Sequence, residues 1–215
     1  MNWTREVSRA VRSTLVLWGV TAIIYPLVML GVGQVIFPFQ ANGSILTGAQ
    51  GQPIGSALIG QPFTSERYFN SRPSTTNYST ANPLADEAGI LRTGISGASN
   101  LAPSNSALLD RIQGKPDPNP EIAIRGELPR LQAAGIQPTA DLIYTSGSSL
   151  DPHITPAAAR AQIDRVAQAR ELLPSQLEEL IRQNTDHRFG GIWGEPGVNV
   201  LKLNLALDML KPSNS

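Results

Sequence analysis

Four side chains that could perform hydrolytic chemistry lie within eight positions of the sequence: Ser146, Ser148, Asp151 and His153. A serine nucleophile, a histidine base and an orienting carboxylate form the triad of the serine hydrolases. In known triads the three groups usually come from separate elements, and many such enzymes hold the serine in a G-x-S-x-G turn, which is absent here. The pattern therefore favours a tight loop rich in hydroxyls that leads into a helix at Thr155, with a serine hydrolase as the alternative.

Metal and nucleotide sites find little support in the residue types. The two histidines, His153 and His187, are far apart and cysteine is absent, so the ligand spacing of a zinc site is missing. The glycine- and serine-rich run at residues 94–100 is not followed by the lysine of a phosphate-binding loop. We therefore predict no catalytic residue, no metal ligand and no cofactor-binding residue in this chain.

An arginine set among aromatic residues points to recognition rather than catalysis. Arg72 follows Tyr68 and Phe69 and precedes Pro73 and Ser74. Arginine in this setting commonly anchors a protein interface, and it can equally pin a loop within its own fold. The sequence leaves both interpretations open.

Composition narrows the possible functions. The 215 residues carry a formal net charge of +0, which lacks the basic footprint of a nucleic-acid-binding protein. Charged residues make up 16% of the chain, and much of the apolar content falls in one uncharged run at residues 15–37. As a helix this run would extend over roughly 35 Å, enough to cross the hydrocarbon core of a bilayer.

The charges around this run predict its orientation. Arg5, Arg9 and Arg12 precede it, and the next charged residue is Glu66. The positive-inside rule then places residues 1–13 in the cytoplasm, 14–38 in the membrane as a single helix and 39–215 outside, at the plasma or inner membrane. A cleaved signal peptide is the alternative, but its apolar core is normally about 7–15 residues long and ends at a small-x-small cleavage site.

The remaining chain predicts an α+β fold, a single extracytoplasmic domain with a small sheet and at least two helices. Short strands are expected at Ile45–Leu46 and at residues 55–59, 140–144 and 198–207, the last because apolar and polar residues alternate. Helices are expected after Ser104 or Asn105, from Thr155 to about residue 170, and from a capping box at Ser175.

A series of short motifs extends along this outer domain. In order, they are residues 55–61 (GSALIGQ), 68–74 (YFNSRPS), 96–105 (SGASNLAPSN), 141–142 (DL), 146–154 (SGSSLDPHI), 165–167 (RVA) with 169–170 (AR), 194–196 (GEP) and 198–204 (VNVLKLN). The series resembles the C subunit of the bacterial Kdp potassium-transporting ATPase, the KdpC family. The resemblance covers the apolar helix and nearly all of the outer domain, with departures at Ala98, Ala102 and residues 115–129 and 193–197.

The resemblance implies an accessory, non-catalytic subunit of a high-affinity, ATP-driven potassium uptake complex. Its expected partners are a channel-like potassium-translocating subunit, a P-type ATPase subunit, a small stabilising subunit and membrane lipid. ATP and potassium act at the level of the complex, and this chain has no D-K-T-G phosphorylation motif. The family is described as a catalytic chaperone that raises the ATP affinity of the ATPase subunit. With the domain outside the cell, such an effect would have to be indirect.

Three motif segments look too polar and too rich in turns for core packing: residues 68–74, 96–105 and 146–153. We expect them to gather on one side of the domain and to dock onto the outer mouth of the potassium-translocating subunit, with Arg72 contributing most. The predicted interface residues are Tyr68, Phe69, Arg72, Pro73, Ser74, Ser99, Asn100, Asn105, Ser146, Ser148, Asp151 and His153. A membrane-anchored extracytoplasmic serine hydrolase remains the alternative function.

Overall fold

The computed structural model describes residues 2–48, 50–80, 94–120 and 122–210. The chain divides into two compact units, Met1–Leu46 and Thr47–Ser215. Part of the predicted outer domain, 39–215, lies outside the described residues, for example positions 81–93.

One long helix dominates the first unit. It runs over Trp3–Ile36, 34 residues with a mean hydropathy of 2.2 in its most apolar window, and is long and apolar enough to cross a membrane. It comprises α1 (Trp3–Gly19), a π-helical turn (Val20–Ile24) and α2 (Tyr25–Ile36), and the short α3 (Pro38–Ala41) follows. Pro26 has no N–H to donate within a helix, and the wider π turn directly before it keeps the helix continuous, since Tyr25 N donates to Val20 O.

After α3 the chain forms small sheets and short helices. β1 (Ile45–Thr47) and β2 (Pro53–Ser56) form a two-stranded sheet, and β3 (His153–Ile154), β4 (Thr185–Asp186) and β5 (Gly197–Asn199) form an antiparallel sheet in the order β3-β5-β4. The helices are α4 (Ser106–Gln113), α5 (Glu127–Ala133), α6 (Ala140–Ile143), α7 (Pro156–Arg160), α8 (Ile163–Arg170), α9 (Pro174–Gln183) and α10 (Val200–Met209). The predicted α+β class is confirmed.

The core of the second unit lies between α7, α8, α9, α10 and the three-stranded sheet. Its fully buried side chains include Phe69, Leu131, Leu142, Val166, Leu177, Ile181, Val198, Leu203 and Leu207. Three amide side chains, Gln162, Asn199 and Asn204, are buried with them. A buried amide is stable only when its hydrogen bonds are made, so these three positions must have specific partners.

Helix starts were predicted well where a capping side chain is present. Asn105 Oδ1 accepts from Ala107 N at the start of α4, and Thr155 Oγ1 accepts from Ala158 N at the start of α7. The helix expected from Thr155 to about residue 170 is interrupted, however, because α7 ends at Arg160 and α8 begins at Ile163. The capping box near Ser175 lies two residues earlier, with Gln176 accepting from Leu173 N.

Two strand predictions are wrong. Residues 140–143 form α6, and of the alternating segment 198–207 only Val198 and Asn199 belong to a strand, β5. Asn199 ends that strand by capping α10, with its Oδ1 accepting from Lys202 N. From Val200 onward the buried residues follow helical spacing, and the polar residue that mimicked strand alternation, Asn204, faces the core. The strand predicted at 55–59 is found at Pro53–Ser56.

Candidate functional site

The three polar motif segments come together in the structure. We call residues 68–74, 96–105 and 146–153 the loop cluster. Ser146 N donates to Pro73 O at 3.3 Å, and Ser74 Oγ donates to Ser149 O at 2.7 Å, which joins the first segment to the third. Gly97 N donates to Ser148 O at 3.1 Å, which joins the second segment to the third. The expected gathering of these loops is therefore found.

Ser149, which is not among the predicted interface residues, is the junction of the cluster. Its side chain is fully buried and its backbone is left-handed, with φ 59°. Ser149 Oγ bonds to Gly97 O at 2.6 Å and accepts from Thr75 N at 3.1 Å. These bonds offset the cost of the left-handed conformation, which is unfavourable for a residue other than glycine. The signal in the sequence was its place within the SGSSLDPHI motif.

Arg72 pins two carboxylates inside the fold. Its Nη1 lies 3.3 Å from Asp151 Oδ2 and 3.7 Å from Asp141 Oδ1, and its side chain is 26% exposed. Asp141 Oδ2 accepts from Thr155 N at 2.8 Å, so the same carboxylate holds the start of α7. Of the two interpretations left open by the sequence, the loop-pinning one has direct geometric support.

Tight packing surrounds the backbone beside Arg72. Tyr78 is buried and its hydroxyl donates to Arg72 O. Burial raises the pKa of Tyr78 to about 12, so it stays protonated as a donor. Gly60 N donates to Leu150 O at 2.9 Å, and a Cβ at Gly60 would lie 2.8 Å from Asp151 O. The second glycine of the GSALIGQ motif, Gly60, is thus required for this close approach.

His153 lies between two carboxylates. Its Nδ1 is 3.7 Å from Asp151 Oδ1 and its Nε2 is 3.4 Å from Asp186 Oδ2. The imidazole belongs to β3 and Asp186 to β4, on either side of β5. A Cβ at Gly197 of β5 would lie 3.5 Å from the imidazole Cδ2, at ordinary van der Waals distance, so the ring packs directly against this position of β5.

The contacts around His153 and Asp151 shift the pKa of each group. Asp151 raises the pKa of His153 above its ordinary value, against the opposing effect of burial, and Asp186 adds to the rise. Burial alone would raise the pKa of Asp151, but the bonds from the side chain and backbone of His153 and the charge of Arg72 outweigh it and lower that pKa. The protonated imidazole and ionised carboxylate stabilise each other.

The geometry does not assemble a hydrolytic triad. Ser146 Oγ and Ser148 Oγ bond to each other at 3.1 Å, and Ser148 Oγ accepts from Leu150 N. Within the described part of the chain, no hydrogen bond joins the His153 imidazole to a serine hydroxyl. Ser146 is also 3% exposed, too buried to attack a substrate. Likewise, no group of three or more metal-ligating side chains is found among the described residues.

The twelve predicted interface residues divide by accessibility. Phe69 is completely buried and belongs to the core, so its side chain contributes to packing. Ser146 is buried as well. Half-buried or exposed are Tyr68, Arg72, Pro73, Ser74, Ser99, Asn100, Asn105, Ser148, Asp151 and His153. Asp186, which contacts His153, and Asp141, which contacts Arg72, were missed because nothing in the local sequence pairs them.

Comparison with known proteins places the chain in a family. A family model described as "K+-transporting ATPase, c chain" matches residues 7–209. The chain is 68% identical over 210 residues to the "Potassium-transporting ATPase KdpC subunit" of Microcystis aeruginosa, covering 98% of each chain. It is 64% identical to KdpC subunit 1 of a Nostoc species, covering 99% of this chain and 100% of that protein. It is 41% identical to the KdpC subunit of Geobacter sulfurreducens, covering 97% and 100%. The chain belongs to the KdpC family of potassium-transporting ATPase subunits.

Proposed function

We propose that this chain is the accessory, non-catalytic subunit that docks an extracytoplasmic domain onto the outer mouth of the potassium-translocating subunit and thereby supports assembly of the complex. The observation that carries the proposal is the loop cluster, in which three motif segments far apart in sequence meet through hydrogen bonds between Pro73, Gly97, Ser146, Ser148 and Ser149. Its polar rim keeps accessible side chains, as a docking surface requires.

The membrane helix makes weak docking sufficient. Trp3–Ile36 tethers the domain, so contacts at the loop cluster form at a high effective concentration. The other proposed partners are the P-type ATPase subunit and the small stabilising subunit. Any influence on ATP affinity passes through the complex, because the proposed topology keeps the second unit away from cytoplasmic ATP.

Affinity purification from membranes tests the proposal. The tagged chain should bring down two large membrane proteins, a potassium-translocating subunit and a P-type ATPase. Recovery of the chain alone under several mild detergents would contradict the proposed role.

Gly147→Arg locates the docking surface. Gly147 is exposed within the cluster, and a Cβ there meets nothing within 4 Å, so the variant domain should fold normally. A bulky charge at an interface should reduce recovery of the partners. Gln168→Arg, on the exposed face of α8 outside the cluster, is the matched control and should leave recovery unchanged. Equal recovery with both variants would move the interface elsewhere.

A further inference from the structure

The N-terminal turns of the long helix have two chemically distinct faces. At about 100° per residue, Trp3, Val7 and Val11 fall within a sector about 80° wide. Arg5, Arg9 and Arg12 fall within a sector about 60° wide on the opposite side. We call the first set the apolar stripe and the second the arginine face. The stripe is exposed throughout, with Trp3 at 72%.

The stripe is continuous with the membrane-spanning part of the same helix. Its line passes into Leu15 and Trp18, which are also exposed within the uncharged run at residues 15–37. The lipid that covers the membrane-spanning part of the helix can therefore cover the stripe as well. The charged residues of these turns are mostly basic. There are three arginines and one glutamate, Glu6, whose carboxylate lies 2.9 Å from Arg9 Nη1.

The length of the helix shows how one bilayer can cover both parts. Thirty-four residues extend over about 51 Å, whereas the bilayer with its headgroup regions is about 40–45 Å thick. A straight helix tilted by about 30° spans about 44 Å, within the range of tilts that membrane helices adopt. The stripe then lies on the underside, toward the acyl chains, and the arginine face turns toward the headgroups.

We propose that Trp3–Arg12 is a lipid-binding segment of the tilted helix, in which the apolar stripe enters the acyl boundary and Arg5, Arg9 and Arg12 bind the phosphates of anionic phospholipids. Amphipathic helices with tryptophan on one face and arginine on the other bind anionic membrane surfaces in this way. The inference rests on the proposed membrane anchoring, and it assigns a function to a segment that the loop cluster does not involve.

Fluorescence of Trp3 in the full chain tests the proposal. Trp18→Phe and Trp193→Phe remove the other two tryptophans, both of which are exposed. The chain is reconstituted into zwitterionic phosphatidylcholine vesicles and into vesicles containing phosphatidylglycerol, and alkaline carbonate extraction first establishes that it is anchored. Trp3 should be quenched by lipids brominated near the headgroup and protected from aqueous acrylamide, most strongly in the anionic vesicles.

Variants separate the two faces. Val7→Ser with Val11→Ser should expose Trp3 to acrylamide in both vesicles, whereas Ser8→Ala with Ser13→Ala, off the stripe, should not. Each arginine-to-glutamine change should lower the docked-to-undocked ratio of the segment about fivefold in anionic vesicles, and little in zwitterionic ones.

Three outcomes would overturn the proposal. Trp3 as open to acrylamide as free tryptophan in both vesicles would show that the segment stands in water. Protection that is found only in membranes containing the other subunits would assign the stripe to a protein partner. Protection of Trp3 that stays the same in the arginine-to-glutamine variants would show that the arginines do not bind lipid phosphates. A chain extracted by carbonate fails at the anchoring step, which refutes the proposed membrane anchoring itself.

Discussion

The side-chain amide of Asn204 makes both hydrogen bonds that a neighbouring strand would make to Phe69. Phe69 N donates to Asn204 Oδ1 at 2.9 Å, and Asn204 Nδ2 donates to Phe69 O at 3.0 Å. Gln162 does the same for the next residue, accepting from Asn70 N at 2.8 Å and donating to Asn70 O at 3.1 Å. Two buried amides, Gln162 directly before α8 and Asn204 of α10, thus hold the start of the loop cluster.

Asn204→Leu should destabilise the second unit strongly. Leucine keeps the branched shape of asparagine but is bulkier, and it leaves the buried Phe69 N–H and C=O without partners, at a cost of about 1–3 kcal/mol each. Urea unfolding of residues 47–215, followed by circular dichroism, measures the loss. Gln168→Leu, an exposed amide on α8, is the control and should change stability by about 0.5 kcal/mol or less. Equal values for the two variants would show that the Asn204 bonds contribute nothing net.

The same asparagine explains how far the sequence could predict the fold. Caps at Asn105 and Thr155 were found because they act within a few residues. Residues 198–207 were assigned to a strand because Asn199, Lys202 and Asn204 alternate with apolar side chains, and nothing local shows that one of these polar groups faces the core. A buried amide is recognised only once its partner, 135 positions away, is in place.

The candidate site was likewise predictable only where the signal lies within a short stretch of sequence. The polar, turn-rich character of three segments predicted that they would gather, and they do. Asp151, an ionic partner of both Arg72 and His153, was among the predicted residues. Their other partners, Asp141 and Asp186, could not be predicted, because they are brought near by the packing of α6 and by the pairing of β4 with β5. Phe69, chosen as an interface aromatic, is instead a core residue.

Arg72 and Asp151 should be energetically coupled. A double-mutant cycle with Arg72→Ala and Asp151→Ala, measured by urea unfolding, should give a coupling energy of about 0.5–3 kcal/mol, because the pair is partly buried. The control cycle uses Arg182 and Glu179, an exposed i,i+3 pair at 2.6 Å, and should give a coupling energy well below that of the Arg72–Asp151 pair, because solvent screens exposed charges.

The complex provides the second readout for Arg72. If Arg72 acts by pinning loops, Arg72→Ala should recover less of the partner subunits only to the extent that it loses stability. Asp151→Ala should then show the same reduced recovery. No coupling with Asp151, together with a folded variant that fails to recover the partners, would contradict loop pinning and assign Arg72 to direct contact.

His153 should make stability depend on pH. Its pKa is raised in the folded state, so its contribution is fully present below the unfolded value of about 6.5 and is lost as pH rises through the folded pKa. Asp151 has a lowered pKa in the folded state. Its contribution to stability is therefore fully present above the unfolded value of about 3.9 and is lost as pH falls through its folded pKa. Both contributions are therefore present between about pH 4 and 6.5.

His153→Gln measures this contribution. The difference in unfolding free energy between wild type and variant should be larger at about pH 6 than at about pH 9, where the imidazole is neutral. His187→Gln is the matched control, because His187 is exposed and has no ion pair among the described residues. A difference that is constant with pH would mean that the Asp151 and Asp186 contacts are not ionic in solution.

Topology can be read from two single cysteines, because the natural sequence contains none. Pro118 lies exposed in the turn after α4, and Asn2 lies exposed before α1. With Arg5, Arg9 and Arg12 held in the cytoplasm, Pro118→Cys should react with a membrane-impermeant maleimide on intact cells or spheroplasts. Asn2→Cys should react only after lysis. The reverse pattern would invert the proposed orientation and give the second unit direct access to cytoplasmic ATP. Labelling of both before lysis would indicate leaky cells, which a cytoplasmic marker enzyme in the medium reveals.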